Sequence, residues 1–172
     1  MTGAREPSAS HPEMLRVRQA RAADVPTLVE LMREFYGEAG FPLPSAPAAH
    51  AFAALLGDPR LGGVWIAEDG SEIVGHAVLA LCFSMEYGGI RGVVDDLYVR
   101  PAARGRGAGA ALLATLRSAA ATLGLRALHV EVGPENEIAR RLYARAGYVD
   151  GGHLTLALPL AAPVHESEER AP

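Results

Sequence analysis

Asp95-Asp96-Leu97-Tyr98-Val99-Arg100-Pro101-Ala102-Ala103-Arg104-Gly105-Arg106-Gly107-Ala108-Gly109-Ala110-Ala111-Leu112-Leu113 is the stretch around which the chain is organised. It reads as a strand that stops at a proline, a glycine-rich turn, and then an Ala/Leu helix. Such a turn aims several backbone N–H groups at one point, and the start of the following helix adds partial positive charge there. Glycines at 105, 107 and 109 keep side chains out of the way, so an anion can rest directly on the backbone. Arg104 and Arg106 bring two cationic side chains beside it, and each charge-assisted contact is worth about 1.5–3 kcal/mol. Residues Arg104, Gly105, Arg106, Gly107, Ala108, Gly109 and Ala110 therefore read as a pyrophosphate cradle.

A second informative segment is Glu131-Val132-Gly133-Pro134-Glu135-Asn136-Glu137-Ile138-Ala139-Arg140-Arg141-Leu142-Tyr143-Ala144-Arg145-Ala146-Gly147-Tyr148. Asn136 and Tyr143 stand seven positions apart. On a helix they share one face, separated by about 10 Å along the axis. An extended ligand lying there meets an amide at one end and a phenol at the other. Ile138, Leu142 and Ala146 form the neighbouring stripe, expected to face the core.

Working outward, residues 1–14 are polar and rich in turn formers and are expected to form a disordered tail. Leu15–Ala20 alternates as a first strand. Asp24 and Pro26 open a helix carrying Val25, Leu28, Val29, Met32 and Phe35 or Tyr36 at helical spacing. After a Gly/Pro-rich break, a second helix is expected over about residues 48–56. Strands follow at 63–68 and 73–83, joined by a turn at Asp69-Gly70-Ser71, and Tyr87-Gly88-Gly89 reverses the chain into a strand over 91–99. The helix after the glycine turn runs to Leu123, with Leu112, Leu116, Ala119 and Leu123 on one stripe and Gly124 as its stop. A strand over 126–132, a helix ending at Gly147 and a strand over 148–158 complete the pattern; residues 159–172 are expected to be a second disordered tail. Antiparallel strands first and strand–helix–strand units afterwards make an α/β sheet of mixed direction.

The 172 residues make one domain, 49% hydrophobic and 21% charged, as in a soluble globular protein. A net charge of -4 argues against general affinity for nucleic acid. A single cysteine, Cys82, excludes an intrachain disulfide and suits a reducing compartment. The chain has neither a long apolar run nor a hydrophobic signal core near its start, so it is expected to be cytoplasmic with no membrane partner. The Ala/Gly/Arg/Pro bias is that of a high-GC bacterial genome.

Arg104-x-x-Gly107-x-Gly109 with Leu97-Tyr98-Val99-x-Pro101 upstream, and Asn136-x-x-Ala139-x-x-x-Tyr143 followed by Gly147-Tyr148, resemble the GNAT superfamily of acetyl-CoA-dependent N-acetyltransferases. The resemblance covers about residues 15–158. It implies a single-domain GNAT fold, a mixed twisted sheet of six to seven strands with about four helices. It also implies acetyl-CoA as acetyl donor and an amine acceptor attacked directly in a ternary complex: a small amine, an amino acid, an aminoglycoside or a peptide N-terminus. A homodimer is a further expectation from the family.

Carried onto matching positions, the resemblance makes Asn136 a contact to the pantetheine arm and Tyr143 the proton donor to the departing thiolate. The backbone of Leu97, Tyr98 and Val99 would bond the pantetheine amides as another strand would, with an N–H near Val99 polarising the thioester carbonyl. For the base that takes the amine's proton, Glu131 is the first candidate: members that acetylate N-terminal alanine place a glutamate at this strand position. Asp95 and Asp96 compete for the role, and polyamine-acetylating members carry an acidic pair there. Regular strand alternation lets only one of the two enter a cleft, with Asp95 favoured. The acceptor pocket is expected to draw on Phe35, Tyr36, Phe41, Met85, Glu86 and Tyr87.

Other readings fit less well. His50, His76, His129 and His153 lack metal-ligand spacing, and with one cysteine no metal site is expected. Cys82 and Trp65 read as core residues. Gly105-x-Gly107-x-x-Ala110 also matches a dinucleotide-binding fingerprint, but that turn follows its strand directly, whereas here Arg100–Arg104 intervene. A nucleoside-triphosphate loop would need Gly-Lys-Ser/Thr. The remaining alternative is a non-catalytic acyl-CoA-binding sensor, which needs the cradle and Asn136 but not Tyr143.

Overall fold

The computed structural model describes residues 15–38, 40, 43–152, 154–158 and 160. The expectations for residues 1–14 and for Phe41, like most of the expected second tail, lie outside these residues. Strand β1 (Leu15–Gln19) leads to helix α1 (Val25–Glu38) through a 3-10 turn at Ala22–Asp24. The Asp24 carboxylate accepts the Arg21 N–H at 2.7 Å and Arg18 guanidinium N–H groups at 2.8 and 2.9 Å, which fixes the angle of entry into α1. Helix α2 (Ser45–Gly57) starts earlier than expected because Pro47 sits in its first turn, where a missing N–H breaks no helical bond. Strands β2 (Gly62–Asp69) and β3 (Glu72–Ser84) form the expected hairpin about Gly70, and β4 (Gly89–Val99) returns along β3. Helix α3 (Ala108–Thr122), strand β5 (Leu128–Val130) and helix α4 (Glu137–Arg145) follow.

The sheet order is β1-β2-β3-β4-β5, antiparallel throughout except for the parallel β4–β5 pair. Alternation sorts the strand residues onto two helical layers. Trp65, Ala67, Ala77, Leu79 and Val94 pack under α3 against Leu112 and Leu116. Val64, Ile66 and Val78 pack on the other face with Leu28 and Val29 of α1 and Ala48 and Phe52 of α2. At Gly62 the backbone passes so close to β3 that a Cβ would lie 1.8 Å from the Leu79 carbonyl oxygen.

The described residues contain four α-helices and five strands rather than six or seven. The expected strand over 126–132 shrinks to the three residues that pair with Gly92–Val94. Beyond α4, the described part of 148–158 joins no ladder, and Leu154, Leu156 and Leu158 stand exposed. Period-two alternation marks a segment able to pair, but pairing also needs an aligned neighbour, which β5, three residues long, scarcely offers. On α4, Leu142 packs inward as expected, whereas Ile138 is 76% exposed. No helix among the described residues is long and apolar enough to cross a membrane.

Candidate functional site

The site begins where β4 and β5 part. They pair only over Gly92–Val94 and Leu128–Val130, so β4 from Asp95 onward is bonded to β3 on one side and open on the other. The gap is a cleft of about 240 Å³ lined by Phe35 of α1, Asp95 and Leu97 of β4, Glu131 just past β5, and Asn136 and Tyr143 of α4, among others.

An irregularity in β4 decides which side chains face this space. Leu79 pairs with Val94 but the preceding Val78 pairs with Asp96, leaving Asp95 as an extra, bulged residue. Val94 lies on the α3 face with Leu79, while Asp96 shares the opposite face with Val78, which packs under α1 and α2. The bulge interrupts regular alternation at the pair, and of the two carboxylates it is Asp95 that lines the cleft. Both act on the same phenol, Tyr36 of α1, whose pKa is raised by burial, then by Asp96, then by Asp95. Asp95 is exposed at the cleft. Asp96 is half-buried, and burial together with the charge of Asp95 pushes its carboxyl up to about 6. Asp95, favoured from sequence, lines the cleft, and the sheltering of Asp96 depends on a register shift against β3 that the sequence does not show.

Tyr143 is 8% exposed, with its ring edge-on to Tyr148 at 5.6 Å between centroids. Burial, then Tyr148 and Asp96, push its pKa up to about 12, so the phenol stays protonated. Asn136 caps α4, its Oδ1 accepting the Ala139 N–H at 3.1 Å, and the residue lines the cleft. Glu131 is exposed at the cleft mouth. Of the expected acceptor-pocket residues, Phe35 lines the cleft, whereas Met85, Glu86 and Tyr87 lie exposed at the β3–β4 reversal, Tyr87 against His129 at 5.6 Å. Trp65 is in the core as expected; His76, in β3, is fully buried, its ring pKa lowered to about 4 by burial.

The glycine turn has the form of an anion cradle. Gly105 (φ +75°) and Gly107 (φ +94°) adopt left-handed backbone, and a Cβ added at either would meet open space. No side chain among the described residues caps α3 at Gly107, its N-cap. Its carbonyl takes the first helical bond, from Ala111 at 2.9 Å, so the N–H groups of Ala108, Gly109 and Ala110 precede the helical ladder. These features fit a diphosphate resting on bare amides. The third glycine also serves packing. A Cβ at Gly109 would lie 3.1 Å from Leu142 Cδ2, so its absence lets α4 pack on α3.

The two arginine side chains beside the turn also pair with carboxylates. Arg106 pairs with Asp69 at 2.7 Å. Arg104 donates from Nε to the Val99 carbonyl at 2.8 Å and from Nη2 to both Glu38 oxygens at 2.7 Å, with its guanidinium 5.6 Å from the Tyr98 ring centroid. Tyr98 is directed to α1, where its hydroxyl donates to Glu38 at 3.0 Å. Of the Leu97-Tyr98-Val99 backbone, the Val99 carbonyl is therefore already engaged by Arg104.

Comparison with known proteins agrees with this geometry. The model of the acetyltransferase (GNAT) family matches residues 25–148. The uncharacterized N-acetyltransferase YhfO of Bacillus subtilis is 31% identical over 137 residues, spanning 78% of this chain and 89% of that protein. A crystal structure of the integron cassette protein HFX_CASS3, from the mobile metagenome of Cole Harbour Salt Marsh, superposes with a TM-score of 0.81 at 53% identity, covering 87% of this chain and 93% of that one. The fold is also that of the aminoglycoside N-acetyltransferase AAC(6')-Iy, solved in complex with CoA: TM-score 0.73, 17% identity, 86% of this chain and 96% of that one.

Proposed function

The chain belongs to the GNAT acetyltransferase family, and from that premise we propose that it moves the acetyl group of acetyl-CoA to a primary amine of a small molecule, by direct attack in a ternary complex. Residues 15–158 form the catalytic domain in this reading. The observation that carries it is the parting of β4 from β5, which opens a cleft lined by Asp95, Glu131, Asn136 and Tyr143, with the charge of Asp96 acting on the Tyr143 phenol. Acetyl-CoA supplies the activated acyl group.

Asp96 is the base. With its carboxyl at about 6 it is ionised at neutral pH yet more basic than an ordinary carboxylate, as a group that must take a proton from an amine should be. Asp95 and Glu131 stay at the cleft as further carboxylates and favour a cationic acceptor over a neutral one. Tyr143 holds the proton for the leaving sulfur. A phenol at about 12 is a reluctant donor to a thiolate whose aqueous pKa is about 8.5. The same burial raises a thiolate in that space, which narrows the gap. The glycine turn and the Asn136 amide hold the coenzyme, and open backbone groups of β4 align its arm. A non-catalytic acyl-CoA sensor would have no use for the Asp96–Tyr143 combination.

The small-molecule acceptor is supported by the solved aminoglycoside acetyltransferases that share the fold and by the acidic lining. The test is thiol release from acetyl-CoA with a panel of polyamines, aminoglycosides, amino acids and peptide N-termini. Turnover with cationic small amines is expected; turnover confined to peptides would redirect the reading, and none with any amine would favour the sensor.

A further inference from the structure

We propose that Glu38 and the coenzyme's diphosphate compete for one cation, Arg104, so that docking of the coenzyme unlatches the end of α1 that walls the acceptor side of the cleft. The inference rests on the coenzyme-binding reading above and adds a link between its two halves.

Two arginines fasten the last turns of α1 to the end of β4, and they differ in how firmly. Arg100 binds Glu34 through Nη2 at 2.9 Å and Nε at 3.0 Å, and through Nη1 reaches Glu72 at 3.2 Å and the Ile73 carbonyl at 3.1 Å. Its side chain is only 22% exposed. Among the described residues Arg104 has one carboxylate partner, Glu38, and the two side chains are 46% and 42% exposed. An ion pair this open to water is weak and easily exchanged. Arg104 also stands immediately before Gly105, so the anion cradle begins at the next residue. A diphosphate there offers more than one negative charge and several acceptor oxygens to the same guanidinium, in bidentate geometry. The Nε bond to the Val99 carbonyl keeps the arginine stem in place while the outer nitrogens change partner.

When Arg104 turns to the diphosphate, Glu38 keeps only the Tyr98 hydroxyl at 3.0 Å. That matters because the last turn of α1 carries both the latch and the wall. Phe35 lines the cleft and packs on Tyr98 at 5.6 Å and on Tyr36 at 5.5 Å between ring centroids. The Arg100–Glu34 staple, one turn back, holds the rest of the helix. Loosening is thus confined to the residues beside the acceptor.

The experiment is calorimetry with CoA and, separately, pantetheine, which lacks the diphosphate, on wild type, Glu38→Gln, Arg104→Gln and the double variant. Glu38→Gln is expected to bind CoA about five-fold more tightly, the low end of couplings between sites. The gain should vanish in the Arg104→Gln background and for pantetheine, where a merely structural effect of Glu38 would persist. Gln can still accept from the Tyr98 hydroxyl, so the variant keeps its fold. Unchanged or weaker CoA binding by Glu38→Gln overturns the latch, as does a gain that survives in the double variant or with pantetheine. A wild-type protein that does not bind CoA overturns the coenzyme reading itself.

Discussion

Replacing Asp96 by Asn removes a carboxyl that the fold holds where it is poorly hydrated. Its pKa rises from 3.8 to about 6, chiefly through burial and secondarily through the charge of Asp95, and returns to its ordinary value when the chain unfolds. Between those two values the native protein keeps a proton that the unfolded chain has released, so stability falls as pH rises through that window. Above it the deficit is complete: at 1.36 kcal/mol per pH decade it amounts to about 3 kcal/mol. Asn never ionises, so Asp96→Asn should be near-neutral at pH 4 and more stable than wild type at pH 8 by up to about 3 kcal/mol, roughly 6–12 °C in Tm for a chain of this size. Activity should move the opposite way, kcat/KM falling by about 10²–10⁴ as a general base is lost, and the acid limb near pH 6 should disappear. Thermal melts followed by circular dichroism from pH 4 to 8 measure the difference between the two proteins, in which the titration of His76 cancels. A Tm difference independent of pH, or a variant less stable at pH 8, would refute the argument from burial.

Tyr143→Phe should lower kcat by about 10²-fold with the CoA Kd unchanged by calorimetry; a full-rate variant would hand the proton to water. Gly107→Glu places a side chain at φ +94° in open space. Melting should show a loss of only about 1–3 kcal/mol of strain while CoA binding is abolished, since the carboxylate meets the diphosphate; unchanged affinity would count against the cradle. His76 is fully buried, its ring nitrogens have no hydrogen-bond partner among the described residues, and its pKa is lowered to about 4. The unfolded chain therefore takes up a proton below about 6.5 that the native protein refuses, and stability falls on acidification. Wild type should lose about 2 kcal/mol at pH 5 relative to pH 8 from this group, a loss that His76→Leu abolishes in urea titrations at the two pH values.

Much of the site was legible because its signals are local. The turn at 105–107 and the start of α3 follow from glycines that alone tolerate left-handed backbone, and Asn136 stands where a helix needs a cap. The pairing of Asn136 with Tyr143 on one helix face follows from helical geometry, and both line the cleft. What the sequence did not show concerned partners far along the chain. Arg104 and Arg106 flank the glycine turn, and Glu38 and Asp69 pair with them. Ile138 had the right spacing for a core stripe, but no described element covers that side of α4.

The chain's order of elements, its glycine turn and its capped C-terminal helix were determined by residues within a few positions of one another, because backbone preference, capping and periodicity act at that range. Which of the two aspartates is sheltered from water was decided only by tertiary structure. The bulge at Asp95 exists because β4 pairs with β3 in a shifted register, and the raised pKa of Asp96 exists because that register buries it on the face α1 covers. Strand register and burial are properties of neighbours brought together by folding, and two adjacent aspartates in a sequence carry no trace of either.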